Sequence, residues 1–139
     1  MADGWAKPAE LKKISLKTDI KDLAVHGDRD SLVDLVSILL DNAIKYSSKN
    51  GQVSLSVGKK DKSAVLIVKD NGQGIRAVDL PHIFDRFFRA DSSRSKDSSD
   101  GYGLGLAIAR KIADLHDASL EVKSTVGKGS TFTVRLPQV

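Results

Sequence analysis

From Asp28 onward, apolar residues recur in three- and four-residue steps at Leu32, Leu35, Val36, Leu39 and Ala43. That period is helical and predicts a helix of about five turns. Asp28 or Asp30 is placed to cap its start, because a short acceptor side chain satisfies free backbone N–H groups. Gly51 is a natural stop. The period then changes to two. Val53, Leu55 and Val57 alternate with Ser54 and Ser56, and Ala64 to Val68 forms a denser apolar run. The polar link Lys59-Lys60-Asp61-Lys62 between them reads as a hairpin turn. Earlier, Ile14, Leu16 and Thr18 start a short alternating stretch, and Leu23 with Val25 forms another. Residues 79–88 predict a short helix carrying Ile83, Phe84, Phe87 and Phe88. A second long helix opens at Gly101–Leu106 and runs to about His116, with Leu104, Ile108, Ile112 and Leu115 as its buried stripe. Leu120–Ser124 and Thr131–Leu136 read as two last strands around Gly127-Lys128-Gly129.

The predicted order is β-β-α-β-β-α-α-β-β. Strands come in pairs rather than alternating one-for-one with helices. That argues an α+β fold, with a mixed, mostly antiparallel sheet and helices packed on one face. The length of 139 residues fits one domain. Residues 1–13 read as an N-terminal extension and 14–139 as the domain.

Composition removes several classes of chemistry. There is no cysteine, which excludes a disulfide framework, a zinc-thiolate site and a thiol nucleophile. Only Glu10 and Glu121 are glutamates, against 16 aspartates, so few residues are available as a glutamate base. The net charge of +4 is spread along the chain, and a solvated surface explains it better than a nucleic-acid footprint. No apolar run approaches the roughly 18 residues that span a bilayer.

The candidate chemistry sits in a few segments. Ile38, Asn42, Lys45, Tyr46 and Lys49 share one helix face by their spacing. An amide oxygen suits Mg²⁺ and ammonium groups suit phosphate; the plainer alternative is a polar solvent face. Asp70 ends a buried strand just before Gly72 and Gly74. A carboxylate there needs a donor, such as the exocyclic amine of a purine, unless it only caps a turn. Gly101, Gly103 and Gly105 precede a helix start, where backbone N–H groups favour anions. The pattern is neither a P-loop nor a dinucleotide fingerprint. Ala90–Gly101 is rich in serine and poor in apolar residues.

Together these segments resemble the ATP-binding catalytic domain of sensor histidine kinases, within the family that also holds gyrase, MutL and the heat-shock chaperone ATPases. Leu39–Tyr46 resembles the N box and Asp70–Ile75 the first glycine box. Ile83–Arg89 resembles the F box, Gly101–Ala107 the second glycine box and Gly127–Phe132 the third. The five motifs keep the family's order over roughly residues 14–137.

The resemblance implies a Bergerat-type α/β sandwich with nucleotide under a mobile ATP lid at residues 84–103. It implies ATP and Mg²⁺ as cofactors. It assigns Asn42 to Mg²⁺, and Lys45 and Tyr46 to the phosphate and ribose region. Asp70 goes to the adenine amine, helped by Gly74 and Thr131 through water. Arg89, with Arg86 as second candidate, goes to the γ-phosphate. Gly101, Gly103 and Gly105 line the phosphates. Gly72, Ile75, Phe84, Leu104 and Leu106 complete the expected nucleotide contacts, and Asn42, Lys45 and Arg89 are the expected catalytic set.

Two departures refine the expectation. Ile38 stands where gyrase-type and chaperone-type relatives carry a water-activating glutamate, so hydrolysis by this chain is expected to be poor. Tyr102 occupies a spot that is often small or hydroxylated. None of His26, His82 or His116 has the surroundings of a phospho-acceptor histidine. The acceptor is therefore expected on a separate dimerisation domain of a longer kinase, membrane-anchored with this part in the cytoplasm. A response regulator would follow indirectly, and the domain alone is expected to be monomeric, with no nucleic-acid or direct membrane contact. An anti-sigma-type serine kinase and a non-catalytic nucleotide-sensing module are the alternative readings.

Overall fold

The computed structural model describes residues 15–20 (backbone, with the Thr18 side chain), 27–47, 51–86 and 105–137. The strand expected at Leu23–Val25, the serine-rich stretch, Lys49, Tyr102 and most of the expected lid lie outside these residues.

The chain runs β1 (Ser15–Ile20), α1 (Arg29–Tyr46), β2 (Gln52–Lys60), β3 (Ser63–Asp70), a 3₁₀ turn (Leu80–His82), α2 (Gly105–Leu115), β4 (Ser119–Thr125) and β5 (Gly129–Pro137). The strands form one sheet in the order β1-β2-β3-β5-β4. β1 lies parallel to β2 and the other neighbours are antiparallel. The parallel pair needs a crossover, and α1 supplies it.

Strand alternation sorts the sheet into two faces. Rows of inward residues cross β2, β3, β5 and β4 in register. One row is Leu55, Val68, Phe132 and Val122, and the next is Val57, Leu66, Val134 and Leu120. Phe132, Val68, Leu55 and Val134 are fully buried there. Both helices cover this face: α1 lies over β2 and β3, α2 over β4, and the helices touch each other. The opposite face carries Ser54, Lys69, Thr131 and Lys123 in one cross-strand row.

Asp28 caps α1, accepting from the Ser31 amide at 2.9 Å and its hydroxyl at 2.6 Å. These two donors, the hydroxyl first, hold the Asp28 carboxyl below its ordinary pKa. Leu35, Val36, Leu39, Leu40, Ala43 and Ile44 form the buried stripe. The helix has the expected five turns, but its stop is Ser47 rather than Gly51. The Ser47 hydroxyl donates to the Ala43 carbonyl at 2.7 Å and closes the last turn.

Two further expectations change. In α2 the buried residues are Ala109, Ile112 and Ala113, whereas Ile108 is 48% and Leu115 73% exposed. Of the expected stripe Ile112 is buried, Ile108 and Leu115 are turned outward, and Leu104 lies outside the described residues. Alanines carry little apolar weight in a pattern, yet their size lets two helices approach closely. Of the helix expected over 79–88, the described residues 79–86 hold a single 3₁₀ turn through Pro81, whose missing N–H suits only a first turn. Arg76 and Asp79 close the segment before it with an ion pair at 3.0 Å.

His116 joins the far ends of the two helices. Its Nε2 accepts from the Asp28 backbone N–H at 3.0 Å, so the ring proton sits on Nδ1, which meets the Ile112 carbonyl at 2.8 Å.

Candidate functional site

The inward face changes character at one end. There the cross-strand row is Val53, Asp70, Ser130 and Ser124. Three polar residues thus adjoin the Phe132 row. Asp70 retains only 5% exposure and Ser130 only 7%.

The Asp70 carboxylate accepts from the Gly72 backbone N–H at 2.9 Å and from that of Ser130. Burial pushes its pKa above the ordinary value, and the two amides pull it back in part. A carboxylate offers about four lone-pair sites. Two backbone donors leave room for a further donor, and burial strengthens the demand for one.

The loop after Asp70 is pinned on both sides. Asn71 clasps Gln52, its Oδ1 accepting from the Gln52 N–H at 2.7 Å while its own N–H donates to the Gln52 carbonyl at 3.2 Å. A Cβ on Gly72 would collide with the Tyr46 carbonyl, so the loop lies against the end of α1. Gly74 has φ +77° and abuts the Thr125 carbonyl, where only glycine fits without strain. Gln73 accepts from the Gly127 N–H at 2.9 Å, and the Ile75 N–H donates to Ser124 Oγ at 2.7 Å. The loop is thus held between α1 and the β4–β5 hairpin. Gly72 and Gly74 serve these close approaches.

This loop brings Asp70 beside the last turns of α1, where Asn42, Lys45 and Tyr46 are half-buried. The Lys45 ammonium lies 5.8 Å from the centre of the Tyr46 ring. Ile38, one turn earlier, packs on the core, and a Cβ on Gly105 would lie 3.6 Å from its Cγ2. The start of α2 therefore opens about one turn from Asn42. A helix start favours anions. Asn42 and Lys45 thus lie within one turn of Tyr46, whose carbonyl Gly72 abuts, and the first described residue of α2 lies against Ile38, one turn earlier on α1.

The other expected residues make the following contacts. Thr131 pairs with Lys69 and Lys123 on the outer face, away from Asp70; strand alternation gives the inward place to Ser130. Phe84 meets Phe132 edge-on at 6.4 Å and lies under the Arg110 guanidinium at 5.3 Å, so it serves the core. Ile75 and Leu106 also pack against the core. Arg86 is exposed. Arg89, Gly101, Gly103 and Leu104 lie outside the described residues. Ser130 and Ser124 were missed by the motif reading. The signal was present: Phe132, Val134 and Leu136 share the parity of residue 130.

Residues 27–139 match the family model described as histidine kinase-, DNA gyrase B-, and HSP90-like ATPase. The sensor histidine kinase YkoH of Bacillus subtilis is 42% identical over 127 residues, covering 91% of this chain and 27% of YkoH. RppB, a sensor histidine kinase of Synechocystis, is 41% identical over 126 residues, covering 89% of this chain and 28% of RppB. The chain thus spans about a quarter of the length of these curated relatives. The solved mycobacterial sensor histidine kinase MprB superposes with a TM-score of 0.85 at 29% identity, over 99% of this chain and 92% of that one. With this sheet, this helix layer and a buried Asp70 at their shared end, the chain belongs to the histidine kinase-, DNA gyrase B- and HSP90-like ATPases, as a Bergerat-fold ATP-binding domain of the sensor-histidine-kinase type.

Proposed function

We propose that this domain holds Mg-ATP at the Asp70 end of the sheet and presents the γ-phosphoryl group to a histidine. That histidine would belong to a dimerisation domain elsewhere in a longer kinase, with a response regulator as the later acceptor. The observation that carries the base assignment is Asp70: a buried carboxylate with two backbone donors and acceptor capacity to spare. An adenine amine supplies the missing donor.

Asn42 and Lys45 lie within about one turn of the end of α1 that Gly72 abuts, so they would meet the phosphates, with Tyr46 toward the ribose. Among the described residues no group of three His, Cys, Asp or Glu side chains could hold a metal. That fits Mg²⁺ arriving with the nucleotide, since this ion keeps phosphates, waters and one or two protein oxygens. Asn42 is the residue placed to be that protein oxygen. When bound, the ion would neutralise charge on the phosphates.

Phosphoryl transfer is largely a matter of positioning and charge neutralisation. A neutral imidazole nitrogen attacks the γ-phosphorus, the bond to the bridging oxygen breaks, and ADP leaves. The imidazole N–H proton passes to water. The lone pair needs no general base, which agrees with Ile38 at a position that offers none. Arg89 and Arg86 are the proposed γ-phosphate contacts, and Gly101, Gly103 and Gly105 the phosphate-lining backbone. No helix among the described residues is long and apolar enough to cross a membrane. A cytoplasmic position, where ATP is, belongs to the same proposal.

Calorimetric titration with Mg²⁺ and AMP-PNP, with GMP-PNP as control, tests the site. Saturable, adenine-selective binding is expected. Absence of binding at millimolar nucleotide would sink the reading. Labelled ATP with a supplied dimerisation domain then tests transfer, which should give an acid-labile phosphohistidine.

A further inference from the structure

The row that holds Asp70 ends in Ser124, and that hydroxyl makes contacts to three segments. It lies 3.0 Å from the Gly129 carbonyl, 2.7 Å from the Ile75 backbone N–H and 2.8 Å from the Ser130 hydroxyl. A serine hydroxyl has one hydrogen and two lone pairs. The Gly129 carbonyl only accepts, so it takes the Ser124 hydrogen. The Ile75 N–H only donates, so it takes one lone pair. The other lone pair is left for Ser130, which must then be the donor of that contact. This is the assignment that satisfies all three partners at once.

Its consequence reaches the base site. The Ser130 side chain has a single proton, and that proton is committed to Ser124. Its oxygen can then offer only lone pairs to a ligand. Asp70, its neighbour across the β3–β5 register, is also an acceptor. The row therefore presents acceptors alone, which suits a base whose edge donates, or a water that donates in turn. If the Ser124 acceptor were absent, the Ser130 hydroxyl could rotate and present a proton, which suits the carbonyl edge of guanine.

We infer that Ser124 is a positioning residue for base specificity. It fixes the polarity of the Ser130 hydroxyl and ties the Gly74–Ile75 loop to the β4–β5 hairpin. This rests on the nucleotide-site reading above.

The test compares Ser124→Ala and Ser124→Thr with the parent chain by calorimetric titration of AMP-PNP and GMP-PNP, each with Mg²⁺. Ser124→Ala should narrow the adenine-to-guanine affinity ratio by roughly three- to tenfold, the worth of about one net hydrogen bond. Ser124→Thr keeps the hydroxyl and should restore the parent ratio. A parent ratio retained in folded Ser124→Ala overturns the inference. Equal loss in both variants would make shape the cause and overturn it too. Should Ser124→Ala fail to fold, amide hydrogen exchange at Ile75 in the parent decides: slow exchange supports the contact, and the rate of a free loop amide overturns it. A parent that binds neither analogue sinks the nucleotide site itself. A parent whose adenine preference needs Asp70 but is indifferent to Ser124→Ala sinks only the role of Ser124.

Discussion

Replacing Asp70 by asparagine tests the base site most directly. The carboxylate has two backbone donors, Gly72 at 2.9 Å and Ser130. Asparagine keeps one acceptor oxygen and turns the other into a donor. Either a backbone N–H or the adenine amine then loses its acceptor. A hydrogen bond to a charged group is worth about 1.5–3 kcal/mol, so AMP-PNP binding should weaken roughly 10- to 150-fold. The new amide N–H can meet the guanine carbonyl, so discrimination against GMP-PNP should shrink from both sides. Stability should respond differently. Burial raises the folded pKa of Asp70, so the folded chain holds this proton more tightly than the unfolded one. The stability contributed by this group is therefore greatest below the ordinary carboxylate value. It declines as pH rises from that value through the raised folded value, and is level beyond it. Asp70→Asn should remove this slope. The charge it relieves offsets the orphaned N–H, of about 1 kcal/mol, so thermal stability at neutral pH should change little. Denaturant melts across the acid range and paired calorimetric titrations check both halves. Unchanged AMP-PNP affinity with unchanged base preference would refute the reasoning.

Asn42→Ala should weaken nucleotide binding in the presence of Mg²⁺ far more than in excess EDTA, as seen by titration under both conditions; equal losses would remove Asn42 from the metal. Ser130→Ala should reduce adenine affinity several-fold while Thr131→Ala leaves it within about twofold, because only residue 130 shares the Asp70 face. The reverse order, in the same titration, would contradict the register. With Ile38 packed against the core and no base in its place, the domain should release phosphate from ATP slowly. Sustained turnover near ordinary enzyme rates, of order 10 per second, in a phosphate-release assay would show that water is activated by another group.

Local order left clear marks in the chain. The α1 period, the Asp28 cap and the alternating runs of β2, β3 and β5 all follow from side-chain spacing, since each element must turn an apolar face to one core. The Asp70-Asn71-Gly72-Gln73-Gly74 run announced a special loop for the same reason: close backbone approach leaves room only for glycine. Where the structure departs from the reading, contacts distant in sequence decided. Ala109 and Ala113 are buried because α2 nestles against α1, and Ile108 and Leu115 are left outside by that rotation. Over the described residues the segment after Asp79 makes one 3₁₀ turn, and Ile83 and Phe84 after it pack on the core.

The polar row belongs wholly to tertiary structure. Parity along β5 put Ser130 and Phe132 on one face, but only the β3–β5 and β4–β5 registers set Ser130 between Asp70 and Ser124. Ser124 and Ser130 face each other across a short hairpin, six residues apart, but Asp70 lies more than fifty positions away from both, and no local spacing encodes the β3–β5 register. The sequence alone thus determined that a carboxylate stands at the end of a buried strand. Folding determined which hydroxyls surround it, because hydrogen-bond partners across a sheet are chosen by strand pairing and not by neighbours along the chain.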